Sequence, residues 1–402
     1  MIARFYPGAG MLCLLIVLLV APQPTQGQSV VPLASPMLAL NTVERDRIVL
    51  YDVTNNQYHD VQLGIGEHHV WDFSPDGCRL LMTYTDGSQA RRLYSIGIDG
   101  SNPQEMASYT PERIDEVWDI WEPDWSPDGT RIAFTLRRTA GNNPTTRHIA
   151  YVRTDTGDNT VQFYSVTGRE SSPLWSPDSA WLVYISYSER VPGENALATA
   201  IPTAQPPPGQ TPLPPVTVDE GDMWIVSADG ELKYQLTNFE VGSIHQPRWS
   251  PDSELISFVW SPQNSSDMVW MIANQPAAIA TQLSYEWSMV LDSTWLPDAT
   301  GVVSSIRDFK GRLPNTLWQL PLVSTDDGTA TQYASDLDLT HADFPRFSPQ
   351  ENGRWLAVRS AYTLIIVDTQ TNTTRTLNTS VQGNTPAVWS PVGFAGEGNC
   401  SS

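Results

Sequence analysis

The stretch Pro123–Phe134, PDWSPDGTRIAF, reads as the end of one β-strand, a tight turn and the start of the next strand. Ser-Pro-Asp-Gly suits a type I turn, because proline presets φ at the second position and aspartate and glycine suit the positions that follow. The residues after the turn include β-branched and aromatic types that favour strands. The stretch therefore predicts a β-hairpin.

This hairpin recurs along the chain. The other copies are WDFSPDGCRLLMTY at Trp71, PLWSPDSAWLVYI at Pro173, PRWSPDSELISFV at Pro247, and the more degenerate STWLPDATGVVSS at Ser293, PRFSPQENGRWLAV at Pro345 and AVWSPVG at Ala387. The aromatic anchors of the seven copies are Phe73, Trp125, Trp175, Trp249, Trp295, Phe347 and Trp389, spaced by 52, 50, 74, 46, 52 and 42 residues. The long interval contains a proline-rich insert. Such regularity indicates a repeat architecture.

Each repeat holds four predicted strands. The hairpin is followed by a third strand, as in RHIAYVRTDTG or DMWIVSADG, and by a short fourth strand, as in ELKYQLT. A four-stranded antiparallel unit of this size cannot bury both of its faces alone, so neighbouring units must stack. Radial stacking of such units gives an all-β fold, the β-propeller.

The two chain ends predict how the ring closes. Arg45–Gly64 contains RDRIVLYDV and YHDVQLG, which look like third and fourth strands without a first and second. The last motif supplies a first strand, with or without a second. Together they would form one blade shared between the chain ends, which makes seven blades. Six blades is the alternative if the last motif is only a terminal cap.

The W-S-P-D-G turn followed by an IAF-like strand resembles the repeat of TolB-like β-propellers, a WD-related group. The resemblance covers nearly all of the chain after residue 40, although the smaller α/β domain that precedes the propeller in TolB itself has no counterpart. It implies the propeller fold and says little about function, because similar propellers occur in secreted binding proteins and as accessory domains of peptidases.

The N-terminus predicts export. Arg4 precedes the uncharged apolar run Met11–Ala21, which has the length of a signal-peptide core and is short for a membrane span. We expect a signal peptide at 1–27, a linker at 28–39, and a single propeller domain at 40–402 with a proline-rich loop insert at 191–218. The protein would then be extracellular, periplasmic or at the cell surface; an uncleaved anchor is the alternative.

Composition limits the partners. The chain has 402 residues and a formal net charge of −21, which argues against binding nucleic acid or an anionic membrane through its overall field. We expect a monomer without membrane insertion after signal removal. Cys78 and Cys400 would remain in the mature chain, and in an oxidising compartment they could form a disulfide or stay as free thiols.

Antiparallel topology sorts the loops between two faces of the ring. The SPDG turns share one face, whereas the longer loops between second and third strands open on the other, which we call the loop-rich face. Variable loops on a rigid scaffold are where binding usually resides.

Two groups of ligand-binding candidates lie on the loop-rich face. The basic loop rim is Arg137, Arg138, Arg147, Arg307 and Arg312, and it could hold an anion or be ordinary solvated charge.

The second group lies just before the aromatic anchors, where first strands would reach the mouth of the axial channel. Its members are His68, Trp121, Glu122, His245, Asp292 and Asp343. They could bind a small polar ligand or a peptide, or simply be hydrogen-bonded strand ends. The recurrent aspartate of the SPDG motif suits a turn for backbone reasons, so no metal and no cofactor are expected.

Function is less constrained than fold. The chain has no G-x-S-x-G elbow, no H-E-x-x-H and no glycine-rich phosphate loop, and no catalytic residue stands out. We expect a secreted, non-catalytic binding or scaffold propeller that recognises a protein, peptide or glycan at its loop-rich face. One alternative is an axial-site hydrolase or lyase acting on carbohydrate. Another is a component of an envelope protein assembly.

Overall fold

The computed structural model describes residues 35–85, 87, 90–107, 113–190, 218–239, 242–262, 266–284, 288–308, 314–322, 330–382, 385–391 and 400. These residues form seven separate four-stranded sheets, and every pairing between named strands is antiparallel. The predicted all-β propeller with seven blades is confirmed, and the six-blade alternative is wrong.

The strands follow one another around the ring. The chain begins with β1 (Met37–Asn41), β2 (Ile48–Asp52) and β3 (Gln57–Val61). Blade 1 contains β4 (Glu67–Phe73), β5 (Arg79–Thr85), β6 (Arg92–Gly97) and β7 (Gln104–Glu105). Blade 2 contains β8 (Glu116–Trp125), β9 (Arg131–Ala140), β10 (Thr146–Arg153) and β11 (Gln162–Ser165). Blade 3 contains β12 (Glu170–Trp175), β13 (Trp181–Arg190), β14 (Val218–Ser227) and β15 (Lys233–Gln235).

The second half repeats this plan. Blade 4 contains β16 (Ser243–Trp249), β17 (Leu255–Ser261), β18 (Met268–Ala273) and β19 (Thr281–Gln282). Blade 5 contains β20 (Ser288–Trp295), β21 (Gly301–Asp308), β22 (Thr316–Pro321) and β23 (Thr331–Gln332). Blade 6 contains β24 (Ala342–Phe347), β25 (Trp355–Ser360), β26 (Thr363–Asp368) and β27 (Thr373–Thr376), with a short 3₁₀ turn at Glu351–Gly353. The last strand is β28 (Val388–Trp389).

The seventh blade joins the two chain ends. Its strand order is β28-β1-β2-β3, and Leu38 pairs with Trp389. The C-terminal part therefore supplies only the first strand. The second strand comes from Met37–Asn41, within and just after the stretch expected to be a linker, so the N-terminal part supplies three strands rather than two. The structure also joins Cys78 of blade 1 to Cys400 by a disulfide.

The aromatic anchors explain why the repeat keeps a tryptophan. Trp249, Trp295 and Trp389 are almost fully buried between neighbouring blades. Each donates its indole N–H to a backbone carbonyl in the first strand of the preceding blade: Trp249 to Leu174 (3.1 Å), Trp295 to Arg248 (2.9 Å) and Trp389 to Arg346 (2.9 Å). A large apolar ring with one donor can thus fill the inter-blade core and satisfy its own N–H.

The SPDG turn uses its polar side chains locally. In blade 2, Ser126 Oγ lies 2.6 Å from the Asp128 carboxylate and also accepts the backbone N–H of Arg131 at 2.9 Å. The same serine–aspartate contact closes the turns of blades 3 and 4, at Ser176 and Ser250. These contacts close the turns on one face of the ring. The antiparallel strand order then places the connections between second and third strands on the opposite, loop-rich face.

Two predicted segments lie outside the described residues. The predicted signal peptide (1–27) is one, and the proline-rich insert, which would connect β13 to β14 on the loop-rich face, is the other. The described residues contain no helix long and apolar enough to cross a bilayer.

Candidate functional site

A β-bulge near the inner end of the first strand shapes the loop-rich face. In four blades the residue three places before the aromatic anchor has a left-handed backbone and precedes a buried proline; these residues are Glu122, Ser172, Gln246 and Phe344, with φ of 51°, 58°, 54° and 49°. The register of the first two strands shifts at the same point in each of these blades. Such bulges re-aim side chains at the end of a strand.

Glu122 is a carboxylate on this face that accepts hydrogen bonds from two blades. It accepts the backbone N–H of Ser172 at 2.8 Å and the hydroxyl of Thr135 at 3.1 Å. The hydroxyl of Ser172 lies 3.3 Å from the nearer carboxylate oxygen. Its partners are neutral donors, and one of them belongs to the next blade. Glu122 therefore ties blade 2 to blade 3 while remaining half-buried.

Hydroxyl groups continue away from this carboxylate. Ser172 Oγ lies 3.4 Å from Ser171 Oγ, which lies 3.5 Å from the phenol oxygen of Tyr187. A carboxylate at the end of a hydroxyl chain can accept a proton from a hydroxyl or a bound water.

These groups line an open cavity of about 810 Å³ between blades 2 and 3. Its wall consists of Trp121, Glu122, Thr135, Arg137, Pro144, Thr145, Thr146, Arg147, Thr167, Gly168, Arg169, Ser171, Ser172 and Tyr187. The wall carries three arginines and one carboxylate, in a chain whose formal net charge is −21. The cavity is therefore a local positive site on an acidic protein.

Trp121 forms the part of the wall nearest blade 1. The guanidinium of Arg91 lies over its ring at 4.0 Å and that of Arg137 at 5.3 Å, and its indole N–H donates to Asp119. Asp119 also pairs with Arg91 at 3.2 Å. Cation–π contacts and the ion pair fix the ring's orientation.

A second, smaller cavity of about 340 Å³ shares Trp121 and lies between blade 1 and the closing blade. His68 and His69 line it. His68 stacks on Tyr84 and its Nε2 contacts the carbonyl of Gly64 at 3.0 Å. Burial lowers the pKa of His69 to about 4, so this imidazole is neutral at physiological pH.

The other three candidates predicted at the mouth of the axial channel, His245, Asp292 and Asp343, form hydrogen bonds or ion pairs with neighbouring residues. His245 Nε2 lies 3.2 Å from Ser261 Oγ, and burial lowers its pKa. Asp292 is fully buried and pairs with Arg346 at 2.6 Å and Arg248 at 3.5 Å. Asp343 accepts from Asn315 (2.7 Å) and Arg359 (3.1 Å). These contacts tie elements of blades 4, 5 and 6 together.

The structure brings only part of the predicted basic loop rim together. Arg137 and Arg147 line the larger cavity. Arg138, next to Arg137 on a strand, points to the other face and pairs with the buried Glu116. Arg307 lies in blade 5, and Arg312 lies outside the described residues.

Sequence reasoning missed several members of the larger site, among them Arg169 and Ser172. Arg169 and Ser172 flank the start of blade 3, and neither stands in a recognisable motif. An X-Pro pair ends two residues before four of the seven aromatic anchors, as in WEPDW and SSPLW, and this pattern was the signal that could have pointed to Ser172.

The inner wall of the ring carries two further carboxyl groups. Asp72 and Asp124 directly precede the aromatic anchors of blades 1 and 2, and each accepts the backbone N–H of the next blade's tryptophan, at Trp125 (3.2 Å) and Trp175 (2.6 Å). Burial raises the pKa of Asp72 to about 7. Burial and the nearby Asp72 raise the pKa of Asp124 well above its usual range.

Comparison with known proteins adds information on function. No protein-family model matches the chain. Among curated proteins, it is similar to the uncharacterized peptidase YuxL of Bacillus subtilis, with 27% identity over 248 residues. The match covers 61% of this chain and 30% of the relative, so it spans about a third of the relative's length.

Solved structures show likeness of fold. A puromycin-hydrolyzing peptidase of Mycobacterium tuberculosis matches with a TM-score of 0.58 and 12% identity, over 86% of this chain and 53% of that chain. An oligogalacturonate lyase of Vibrio parahaemolyticus matches with a TM-score of 0.53 and 12% identity, over 85% and 84%. TolB of Acinetobacter baumannii matches with a TM-score of 0.47 and 15% identity, over 90% and 68%. The TolB-like propeller predicted from the repeat is confirmed as a fold.

The curated relative corrects the functional expectation. A propeller that only binds or serves as a scaffold was expected, yet the matched relative is named as a peptidase. Its aligned region is large enough to include several blades of this chain. The non-catalytic interpretation is therefore wrong.

Proposed function

We propose that this chain is a propeller hydrolase that acts on peptides, with its substrate in the cavity between blades 2 and 3. The observation that carries the proposal is the 27% identity over 248 residues with a protein named as a peptidase. The volume of about 810 Å³ falls in the range of small-molecule and short-peptide sites. Its polar, hydroxyl-rich wall suits the amide groups of a peptide.

Glu122 is the group we assign as general base. Its carboxylate would take a proton from a water molecule that attacks the peptide carbonyl carbon, and the same proton would pass to the leaving amine as the C–N bond breaks. The hydrogen bonds from Ser172 and Thr135 hold the carboxylate in place. This pre-organisation is what a positioned base requires.

The test is hydrolysis by the purified full chain. A panel of short peptides, with neutral and acidic oligosaccharides as the contrasting substrates, would be incubated and the products identified by mass spectrometry. We expect peptide products from the wild type and a loss of about 10²-fold or more in rate for Glu122→Gln. Cleavage of saccharides without peptide cleavage would overturn the peptide assignment, and no cleavage at all would overturn the proposal.

A matched control separates chemistry from charge. Glu231 is an exposed carboxylate in a turn of blade 3, outside the cavity wall. We expect Glu231→Gln to hydrolyse peptides at the wild-type rate. Equal losses in both variants would show that Glu122 has no special part.

We further propose that the enzyme works outside the cytoplasm. The disulfide between Cys78 and Cys400 suits an oxidising compartment, and the apolar run Met11–Ala21 suits export. Cell fractionation followed by thiol labelling tests this. Recovery of the protein in the cytoplasm with both thiols free would contradict it.

A further inference from the structure

We infer that Arg137, Arg147 and Arg169, here called the arginine row, bind the C-terminal carboxylate of the peptide, an inference that rests on the proposed function. All three line the cavity that also holds Glu122. A carboxylate anchor and a base in one cavity would direct cleavage toward the C-terminal end of a peptide.

The row is set by strand register. Arg137 in β9 lies directly opposite Arg147 in β10, so both side chains point to the same face of the sheet. Arg147 also forms an isolated parallel bridge with Arg169, just before β12. Three guanidinium groups therefore come from three adjacent chain segments across the boundary between blades 2 and 3.

Like charges directly opposite on paired strands destabilise a sheet, so such a pair usually has an acidic neighbour. The same two strands provide the comparison. Arg131 and Arg153 also face each other, at the turn end of the sheet, and there Arg153 forms a two-pronged ion pair with Asp155 (2.8 and 3.0 Å).

The arginine row on the loop-rich face has fewer carboxylates to balance its positive charge. Asp119 lies 3.8 Å from Arg137 but is shared with Arg91, which is closer at 3.2 Å. Arg169 pairs with Glu189. Arg147 lies over the ring of Tyr187 at 4.8 Å and has no carboxylate within ion-pair distance among the residues that the structure describes.

An anionic ligand would supply the missing negative charge. A guanidinium group offers parallel N–H donors that match a carboxylate, and the cation–π contact with Tyr187 orients Arg147 without using these donors. The Thr145 hydroxyl in the same wall can accept from Thr139 and donate its own hydrogen to a remaining carboxylate lone pair. The site thus combines charge, planar donors and a neutral donor.

The experiment is isothermal titration of the full chain with three probes. The first probe, N-acetyl-trialanine, has a C-terminal carboxylate as its only charged group. The second probe is N-acetyl-trialanine amide, in which that carboxylate is replaced by an uncharged amide. N-acetyl-Ala-Asp-Ala amide carries a side-chain carboxylate instead. We expect the first to bind about 10-fold or more tightly than the second. Equal affinities would overturn the inference, and tightest binding of the third would assign the row to acidic side chains instead.

Substitutions of single arginines test where the C-terminal carboxylate of the peptide binds. Arg147→Gln should lower the affinity for N-acetyl-trialanine about 10-fold and leave that for the amide unchanged. Arg153→Gln, on the same strand but paired with Asp155, is the matched control and should change neither. Arg147→Lys keeps the charge and loses the planar donors, so it should fall between the wild type and the glutamine variant. Unchanged binding by Arg147→Gln would overturn the inference.

The titration also separates this inference from the proposed function. Each mixture is analysed by mass spectrometry after titration. Binding that depends on the carboxylate, without hydrolysis of any panel peptide, would support the role of the arginine row and contradict the hydrolase proposal. Hydrolysis without carboxylate preference would do the reverse.

Discussion

The carboxylate of Glu122 in blade 2 accepts the backbone N–H of Ser172 in blade 3 at 2.8 Å, across the boundary where the larger cavity opens. Both residues have left-handed backbones and both precede a proline. The same bulge that bends the first strands therefore brings a candidate base against a backbone donor of the next blade.

This contact predicts how Glu122 affects stability. Glu122→Gln keeps an oxygen for Ser172 and Thr135, so we expect its free energy of unfolding to stay close to that of the wild type. Glu122→Ala removes the acceptor and leaves the buried Thr135 hydroxyl without it, which should cost about 1–3 kcal/mol. Urea unfolding of both variants measures the difference, and equal stability of the two would contradict the role of this hydrogen bond.

The opposed arginines predict a repulsive coupling. A double-mutant cycle with Arg137→Gln and Arg147→Gln should show that the double variant is less stable than the sum of the two single changes predicts, by about 0.2–1 kcal/mol, because either single change already removes the repulsion. The same cycle at Arg131 and Arg153, where Asp155 compensates the charge, should give a smaller coupling. Unfolding in low salt is the measurement, since salt screens the repulsion. Equal couplings at the two pairs would contradict the charge argument.

Asp72 predicts a pH dependence of stability. Burial raises its pKa from 3.8 to about 7 in the folded protein, so the folded state binds more protons than the unfolded state between these values. The contribution of this group to stability therefore declines as pH rises from about 4 to about 7. Asp72→Asn keeps an acceptor for the Trp125 N–H, and it should gain stability relative to the wild type over this range. A difference that is constant with pH would contradict the shift.

Asp368 provides the control of opposite sign. Its ion pair with Arg354 lowers its pKa from 3.8 to about 2, so its contribution is present above pH 4 and is lost as pH falls through about 2. Asp368→Asn should therefore lose stability relative to the wild type at neutral pH and regain it in acid. As pH rises, the stability relative to the wild type should therefore increase for Asp72→Asn and decrease for Asp368→Asn.

The disulfide predicts a redox-dependent stability. It joins Cys78 to Cys400 across 322 positions of sequence, and the same ring is closed by the short β28–β1 pairing. Cys400→Ser should lower the free energy of unfolding by about 2–4 kcal/mol under oxidising conditions. With a reducing agent present, wild type and variant should unfold alike. A difference that persists after reduction would show that the serine itself is the cause.

Local signals explain why much of the fold was predictable. The SPDG turn and the apolar strands beside it depend on φ preferences and side-chain shape within a few residues, and seven spaced copies favoured seven blades over six. The error at ring closure has a local cause too. MLALN, which forms β1, is a continuous apolar segment without a turn motif before it, so it was assigned mostly to the linker.

The candidate site was only partly predictable. Arg137, Arg147, Trp121 and Glu122 were placed on the correct face because antiparallel order alone decides which loops share it. Arg138 was grouped with them although alternation along β9 sends its side chain to the other side of the sheet. Arg169 was missed because its nearness to Arg147 comes from a bridge between blades.

The sequence by itself determined the repeat, the type of turn and the face that carries the long loops, because these follow from short-range backbone preferences and periodic spacing. Only the tertiary structure decided that Glu122 meets Ser172, that three arginines form a row and that Asp72 lies beside Asp124 on the inner wall. Those contacts join different blades. They depend on strand register, on the bulge before each aromatic anchor and on how neighbouring sheets pack, which no local pattern specifies.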